Sequence, residues 1–500
     1  MLSPKLSHVI PALVAAGALA LAGCGDSNDE AASPLDEALG YLPEDAGFAL
    51  IASTDLEDYN DLRDVLGKFP FAGRAEDLLK ESLERGDIDF DEQIAPLLGN
   101  EVVIGVDDNA SFVDTSAETP FVLAIETEDG DKLEDVAKEG GTDEGSSEGY
   151  DIYQGQEDDT WVAIKDDVLV LSDNEDTLKN ALEQRGADDR LTEDDVDAAF
   201  EDLPEDAPVK AYVNVKELLA ADPDSQEALK VEWVDHIETL GLTGSASEDS
   251  IALDYSLRTD PDGLSDEDLP IASDTEPPQV FERESGRAEV VMGLRDPSQV
   301  IDFGLATAKV IDPASYAEFQ AGKEAIGRRL GIDVDEDVLA QLTGDVSAAV
   351  DIDGKFGLRA ALEDPDAFEE TLAKVMERLP EFSDDVTVTK PKSGDRFYGL
   401  ATRDGKSYAI GVANGALVVA NDAPQAAAVA TRELVDAEGE GAFVAAADAE
   451  QIANAALARF SGGLQGLGGS LFTGPLGDLI TSVEASTDGL TGTLELEIED

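Results

Sequence analysis

The sequence predicts an α+β protein built as two tandem homologous halves, each a mainly antiparallel sheet with helices packed on one face. Three observations lead there. Segments of residues 41–258 recur in the same order in residues 285–500. Short apolar runs bounded by turn residues alternate with segments of helical period. Neighbouring strand-like runs are joined by turns as short as Lys165-Asp166-Asp167 and Ala413-Asn414-Gly415, which suits antiparallel pairing.

Residues 1–23 read as a targeting segment, with Lys5 ahead of a short apolar stretch from Val9 to Ala20. Leu21-Ala22-Gly23 then precede Cys24 and form a lipobox, in which Cys24 is acylated and becomes the new N-terminus. Buried methylenes of the acyl chains would hold the protein at a bilayer surface. Residues 24–40 are an acidic tether of small and charged side chains. The first repeat spans 41–258, a Pro-rich acidic linker 259–278, and the second repeat 279–500. The linker holds four prolines and seven acidic residues.

Within the repeats, Phe48–Asp55 matches Glu289–Asp296 as a strand followed by a helical pattern. Asp87–Asn100 echoes Ile332–Asp345, and Phe121–Ile125 echoes Phe356–Ala360. Asp167–Asp173 falls on Gly415–Asn421, both around a buried strand. Thr239–Leu257 and Thr481–Ile498 read as closing hairpins. Asn214 and Asp448 stand as helix caps in equivalent places. Gly140–Gly149 is polar and glycine-rich and reads as a loop at a hairpin tip. Trp161 and Tyr408 occupy near-equivalent strand positions and read as core.

The repeat, the lipobox and the order of segments around Tyr41-Leu-Pro-Glu-Asp-Ala46 resemble an uncharacterised family of bacterial surface proteins, domain-of-unknown-function family 3352. The resemblance covers essentially the whole mature chain. It implies no established activity and carries over no functional residue.

Composition excludes several classes. The chain carries 34 Lys+Arg against 112 Asp+Glu, a formal charge of −78, so nucleic acid is not a partner. One cysteine and two histidines supply neither a disulfide framework nor a Cys/His metal cluster. Phosphate-cradling glycine motifs are absent from the sequence, and no cofactor is implied. Asp333-Val-Asp-Glu-Asp337 suggests calcium, but the sixth and twelfth positions of an EF-hand loop fall on Val338 and Gly344, and the match fails. His236, inside Glu232–Glu238, is the one imidazole left once the leader is gone. It reads as a helix-end residue ahead of a Ser–His–Asp base.

One segment departs from the acidic background. Residues 462–477 hold seven glycines together with Leu464, Leu467, Leu471, Phe472 and Leu476. The bland reading is a connector; the functional one is a mobile apolar flap over a ligand or partner. The sequence thus points to a lipid-anchored extracytoplasmic protein acting as a binding or interaction module. Its partners would be the membrane through Cys24 and an unknown protein or apolar ligand. A carrier of an apolar ligand or lipid is the second reading, and an extracytoplasmic hydrolase the third.

Overall fold

The computed structural model describes residues 33–55, 58–69, 97–106, 109–113, 119–127, 129–155, 160–273, 276–284, 287–382, 385–392, 396–460 and 473–499. They divide into two compact units. Unit 1 comprises residues up to Gln226, Ile237–Arg258 and the residues from Ile498; unit 2 comprises Glu227–His236 and Thr259–Glu497.

Unit 1 runs α1 (Pro34–Leu39), β1 (Phe48–Ser53), α2 (Asn60–Gly67), β2 (Glu101–Val106), α3 (Asn109–Val113), β3 (Val122–Glu126) and α4 (Gly130–Gly140). It continues with β4 (Gly141–Ser147), β5 (Tyr150–Gly155), β6 (Trp161–Lys165), β7 (Val168–Ser172), α5 (Glu175–Gln184) and α6 (Glu193–Phe200). β8 (Val209–Asn214), α7 (Val215–Ala221), β9 (Ile237–Ala246) and β10 (Ser250–Thr259) complete it. Antiparallel pairing gives the order β4-β5-β6-β7-β3-β2-β1-β8-β9, with β10 beside β9.

The central strands bury consecutive residues, four in a row in β3 and in β7, so neither face is wet at the centre of the sheet. Val122, Ala124 and Val170 pack with Leu39 of α1, Leu178 and Leu182 of α5, and Val196 of α6. The alternate residues Leu123, Ile125, Leu169 and Leu171 pack with Leu133 and Ala137 of α4. Helices therefore cover both faces, which corrects the expectation of a single covered face. The expected loop at Gly140–Gly149 is also different: Gly141–Ser147 is strand β4, and only the Glu148-Gly149 turn, with φ 51° and 84°, is the hairpin tip. Its polar, exposed side chains hid a two-sided wet edge strand from a pattern that looks for alternation.

Unit 2 opens with α8 (Glu232–Asp235), β11 (Gln279–Phe281), β12 (Glu289–Leu294), α9 (Pro297–Ile311), α10 (Pro313–Leu330) and α11 (Val334–Asp337). There follow β13 (Val346–Asp351), β14 (Phe356–Ala361), α12 (Pro365–Arg378), β15 (Val386–Thr389), β16 (Tyr398–Thr402), β17 (Ser407–Ala413) and β18 (Ala416–Ala420). The last elements are α13 (Ala423–Thr431), β19 (Leu434–Asp436), β20 (Phe443–Asp448), α14 (Ala449–Phe460), β21 (Leu476–Ser486) and β22 (Gly489–Ile498). The order is β15-β16-β17-β18-β14-β13-β12-β20-β21, again antiparallel, with β22 beside β21. Strand for strand, this is the order of unit 1.

Local chemistry repeats with the topology. Asn214 Oδ1 accepts from Glu217 N at 3.2 Å where β8 turns into α7, and Asp448 Oδ1 accepts from Gln451 N at 2.9 Å where β20 turns into α14. In unit 2 β11 pairs with β19 outside the main sheet. In unit 1 the chain before β1 makes the matching contact, with Leu191 N donating to Leu42 O and Glu44 N to Asp189 O. Trp161 pairs with Ser172, whereas Ala409 pairs with Ala420. Trp161 thus corresponds to Ala409 and Tyr408 lies one place earlier, which turns it to the other face.

Candidate functional site

Helices α9 and α10 form a helical hairpin whose sequence would suit a core and whose surroundings are solvent. Pro297 starts α9 and Pro313 starts α10, as fits a position whose amide has no helical partner. Between them Asp312 ends one helix and caps the next, its Oδ1 accepting from Ser315 N at 3.0 Å. The Ser315 hydroxyl and amide hold the Asp312 carboxyl below its ordinary range. Gly331, at φ 74°, closes α10 with its amide on Gly327 O at 2.7 Å.

The base of the hairpin is fixed. Phe303 meets Trp233 edge-on with ring centres 6.2 Å apart. Gln299 Nε2 donates to Asp266 O at 2.8 Å and to Leu269 O at 2.7 Å. Leu269 is fully buried, so the stretch read as a linker is packed at this point. Lys323 pairs with Asp335 at 2.7 Å, and the Arg329 guanidinium lies 4.8 Å from the Phe382 ring centre.

Away from these contacts the side chains are open. Val300, Val310, Ile311, Phe319 and Ile326 are all exposed, Phe319 to 51%. A Cβ built on Gly304 or Gly322 would meet nothing within 4 Å. A helix of this composition normally buries its apolar residues, and a cluster of exposed ones marks an interaction surface. Residues 297–330 carry four acidic and four basic side chains. The hairpin is therefore neutral in a chain of charge −78.

The residues singled out from sequence fall elsewhere. Cys24 and the lipobox residues Leu21, Ala22 and Gly23 lie outside the described residues, as do Leu464, Leu467, Leu471 and Phe472. Leu476 is described and is the half-buried first residue of β21. His236 caps α8, with its Nδ1 3.1 Å from Asp260 O and its carbonyl accepting from Asp260 N at 2.8 Å. Asp333 Oδ1 accepts from Asp335 N and Glu336 N, so that carboxylate caps α11. Among the described residues no three His, Cys, Asp or Glu side chains are grouped to hold a metal ion.

The motif Tyr41-Leu-Pro-Glu-Asp-Ala46 is packing. Tyr41 and Leu42 are each 1% exposed, the Tyr41 and Tyr150 hydroxyls lie 2.8 Å apart, and burial with that contact pushes the Tyr41 phenol far up. A family model described as "Protein of unknown function (DUF3352)" matches residues 7–381. The chain belongs to this family. No curated protein matches it. Among solved structures it is similar to TP0453 in crystal forms III, IV and I, with 10%, 11% and 14% identity and TM-scores of 0.27, 0.26 and 0.26. These matches cover 47%, 44% and 47% of this chain and 84%, 79% and 81% of the other. Scores of that size assign neither topology nor function.

Sequence reading missed the α9–α10 hairpin. Its signal was the 15-residue apolar α9, whose charges are Asp302 and Lys309 alone. That pattern reads as a buried helix, and only tertiary structure shows what is left uncovered.

Proposed function

We propose that this is a lipid-anchored extracytoplasmic protein made of two copies of one α+β module, acting by binding, with the α9–α10 hairpin of the second copy as its contact surface. The exposed apolar side chains Val300, Val310, Ile311, Phe319 and Ile326 carry the reading. The common strand order and the paired caps Asn214 and Asp448 support duplication. The lipobox Leu21-Ala22-Gly23-Cys24 supports the anchor. Side chains packed on both faces of each sheet favour contact at a surface over enclosure of a ligand between sheet and helices.

The test is in two parts. Intact mass of the membrane-extracted protein should show acylated Cys24 as its first residue. A photocrosslinker at Ile311, in cells, should trap a partner, while one at the exposed Glu205 of unit 1 should not. Unmodified Cys24 would remove the anchor, and equal trapping from both positions would remove the hairpin.

A further inference from the structure

We infer that the α9–α10 hairpin docks on a lipid bilayer, its outer half seated in the headgroup–acyl boundary. This rests on the reading of the hairpin as the contact surface and names what it contacts.

The distribution of apolar groups favours lipid over a shaped protein groove. On the outer half of α9 the exposed Gly304, Ala308 and Ile311 form one stripe, and Ala306 and Val310 lie on another. On the outer half of α10 Ala314, Ala317 and Ala321 line one side and Phe319 a second. A partner helix or groove covers a single face; a fluid apolar medium covers several.

Charge agrees. A bilayer surface is commonly anionic and repels a polyanion. The outer half, residues 304–322, carries Lys309 against Asp312 and Glu318, 1 − 2 = −1, so this part of a chain at −78 approaches such a surface with little of that cost. At the tip, Val310-Ile311-Asp312-Pro313-Ala314, the one charge is Asp312, and its carboxylate is already bound to the Ser315 amide. Lys309 has the aliphatic stem to reach back to the headgroups. Tyr316 and Phe319 sit within two turns of the tip, where interfacial aromatics belong.

Length fixes the mode. At ~1.5 Å per residue α9 is about 22 Å long, and no helix among the described residues is long and apolar enough to cross a membrane. The hairpin dips in and returns. An anchor at Cys24 would keep it near the bilayer, so even weak interfacial affinity would suffice.

The experiment uses the mature polypeptide from residue 25, without acyl groups, and vesicles of phosphatidylcholine and phosphatidylglycerol at moderate salt. The protein should float with the vesicles, and an environment-sensitive dye on Ile311→Cys should shift to the blue. Joint replacement of Val310, Ile311 and Phe319 by Ser should weaken partitioning about tenfold or more, with the melting temperature unchanged because these side chains are exposed. Three results would overturn the inference: no flotation with the dye still aqueous, flotation indifferent to the triple replacement, or a lipid-free dimer that the same replacement dissolves. A dye that shifts only on native membranes, and not on pure lipid, would assign the surface to a protein and also overturn it. The mass of Cys24 is read independently, so loss of the anchor and loss of the lipid contact are separable.

Discussion

Arg432 holds Glu289 at a point where both side chains have almost left solvent, with exposures of 12% and 6%. Nη2 donates to Oε1 at 2.5 Å and Nη1 to Oε2 at 3.3 Å, while Nη2 and Nε also donate to Glu282 O at 2.6 and 3.0 Å. The guanidinium lies 5.1 Å from the Phe281 ring centre. One residue after α13, this Arg thus ties the chain before β12 to the sheet. Arg185, one residue after α5, does the same for α1 through Glu37, with Nε to Oε1 at 2.9 Å.

Removing one partner leaves the other charge in a nearly closed site with weaker company, Glu289 with Arg287 at 3.8 Å or Arg432 with the Glu282 carbonyl. Glu289→Gln or Arg432→Met should cost about 3–5 kcal/mol in urea unfolding of unit 2. Arg432→Lys should cost nearly as much, because Lys cannot span Glu289 and Glu282 together. The double replacement by Leu and Met should recover most of the loss. Single variants near wild type would show the pair to be dispensable.

Leu42 fills the space left by Gly105. A Cβ on Gly105 would stand 2.2 Å from Leu42 Cδ1, and Leu42 is buried. Gly105→Ala should therefore destabilise unit 1 by about 1–3 kcal/mol, and Leu42→Val in the same chain should restore part of it. An unaffected Gly105→Ala variant would show that this contact yields freely.

Alkaline pH should unfold the protein through its tyrosines. Burial pushes Tyr59 and Tyr212 from 10.0 up to about 12, and the Tyr59 hydroxyl donates to Ser53 O at 2.9 Å and Pro208 O at 3.1 Å. A raised folded value means this stability is complete below pH 10.0 and is lost as pH rises through about 12. Phenolate absorbance and near-ultraviolet circular dichroism should change together over that interval. Ionisation of all tyrosines near 10 with the dichroism intact would contradict it.

Salt should raise the melting temperature. With 112 acidic groups against 34 basic ones, repulsion acts across the whole surface and is screened over about 10 Å at 0.1 M ionic strength. A flat or falling melting temperature would show that local ion pairs already cancel the repulsion.

Much of the fold was legible because it is written in short-range chemistry. The runs Val168–Leu171 and Ala416–Val419 are apolar at every position and became β7 and β18; Asn214 and Asp448 cap helices as their type and place require. The covering of both sheet faces was implicit in those runs, since a strand with no polar alternation has no wet side. The hairpin surface was not legible, because Val300, Val310 and Ile311 look like core in sequence and differ from core only in lacking neighbours. Trp233 was hidden for a related reason. It lies between segments of unit 1 in sequence, yet it packs on Phe303 in unit 2.

Residues 297–330 are proposed as the place where this protein meets its partner surface. Hydrogen exchange of the polypeptide from residue 25 on phosphatidylcholine–phosphatidylglycerol vesicles, compared with the same polypeptide free in solution, puts this to the test. Exchange should slow in residues 304–326 and change little in the strands of either sheet. Unchanged exchange across the hairpin, with protection appearing elsewhere in the chain, would contradict it.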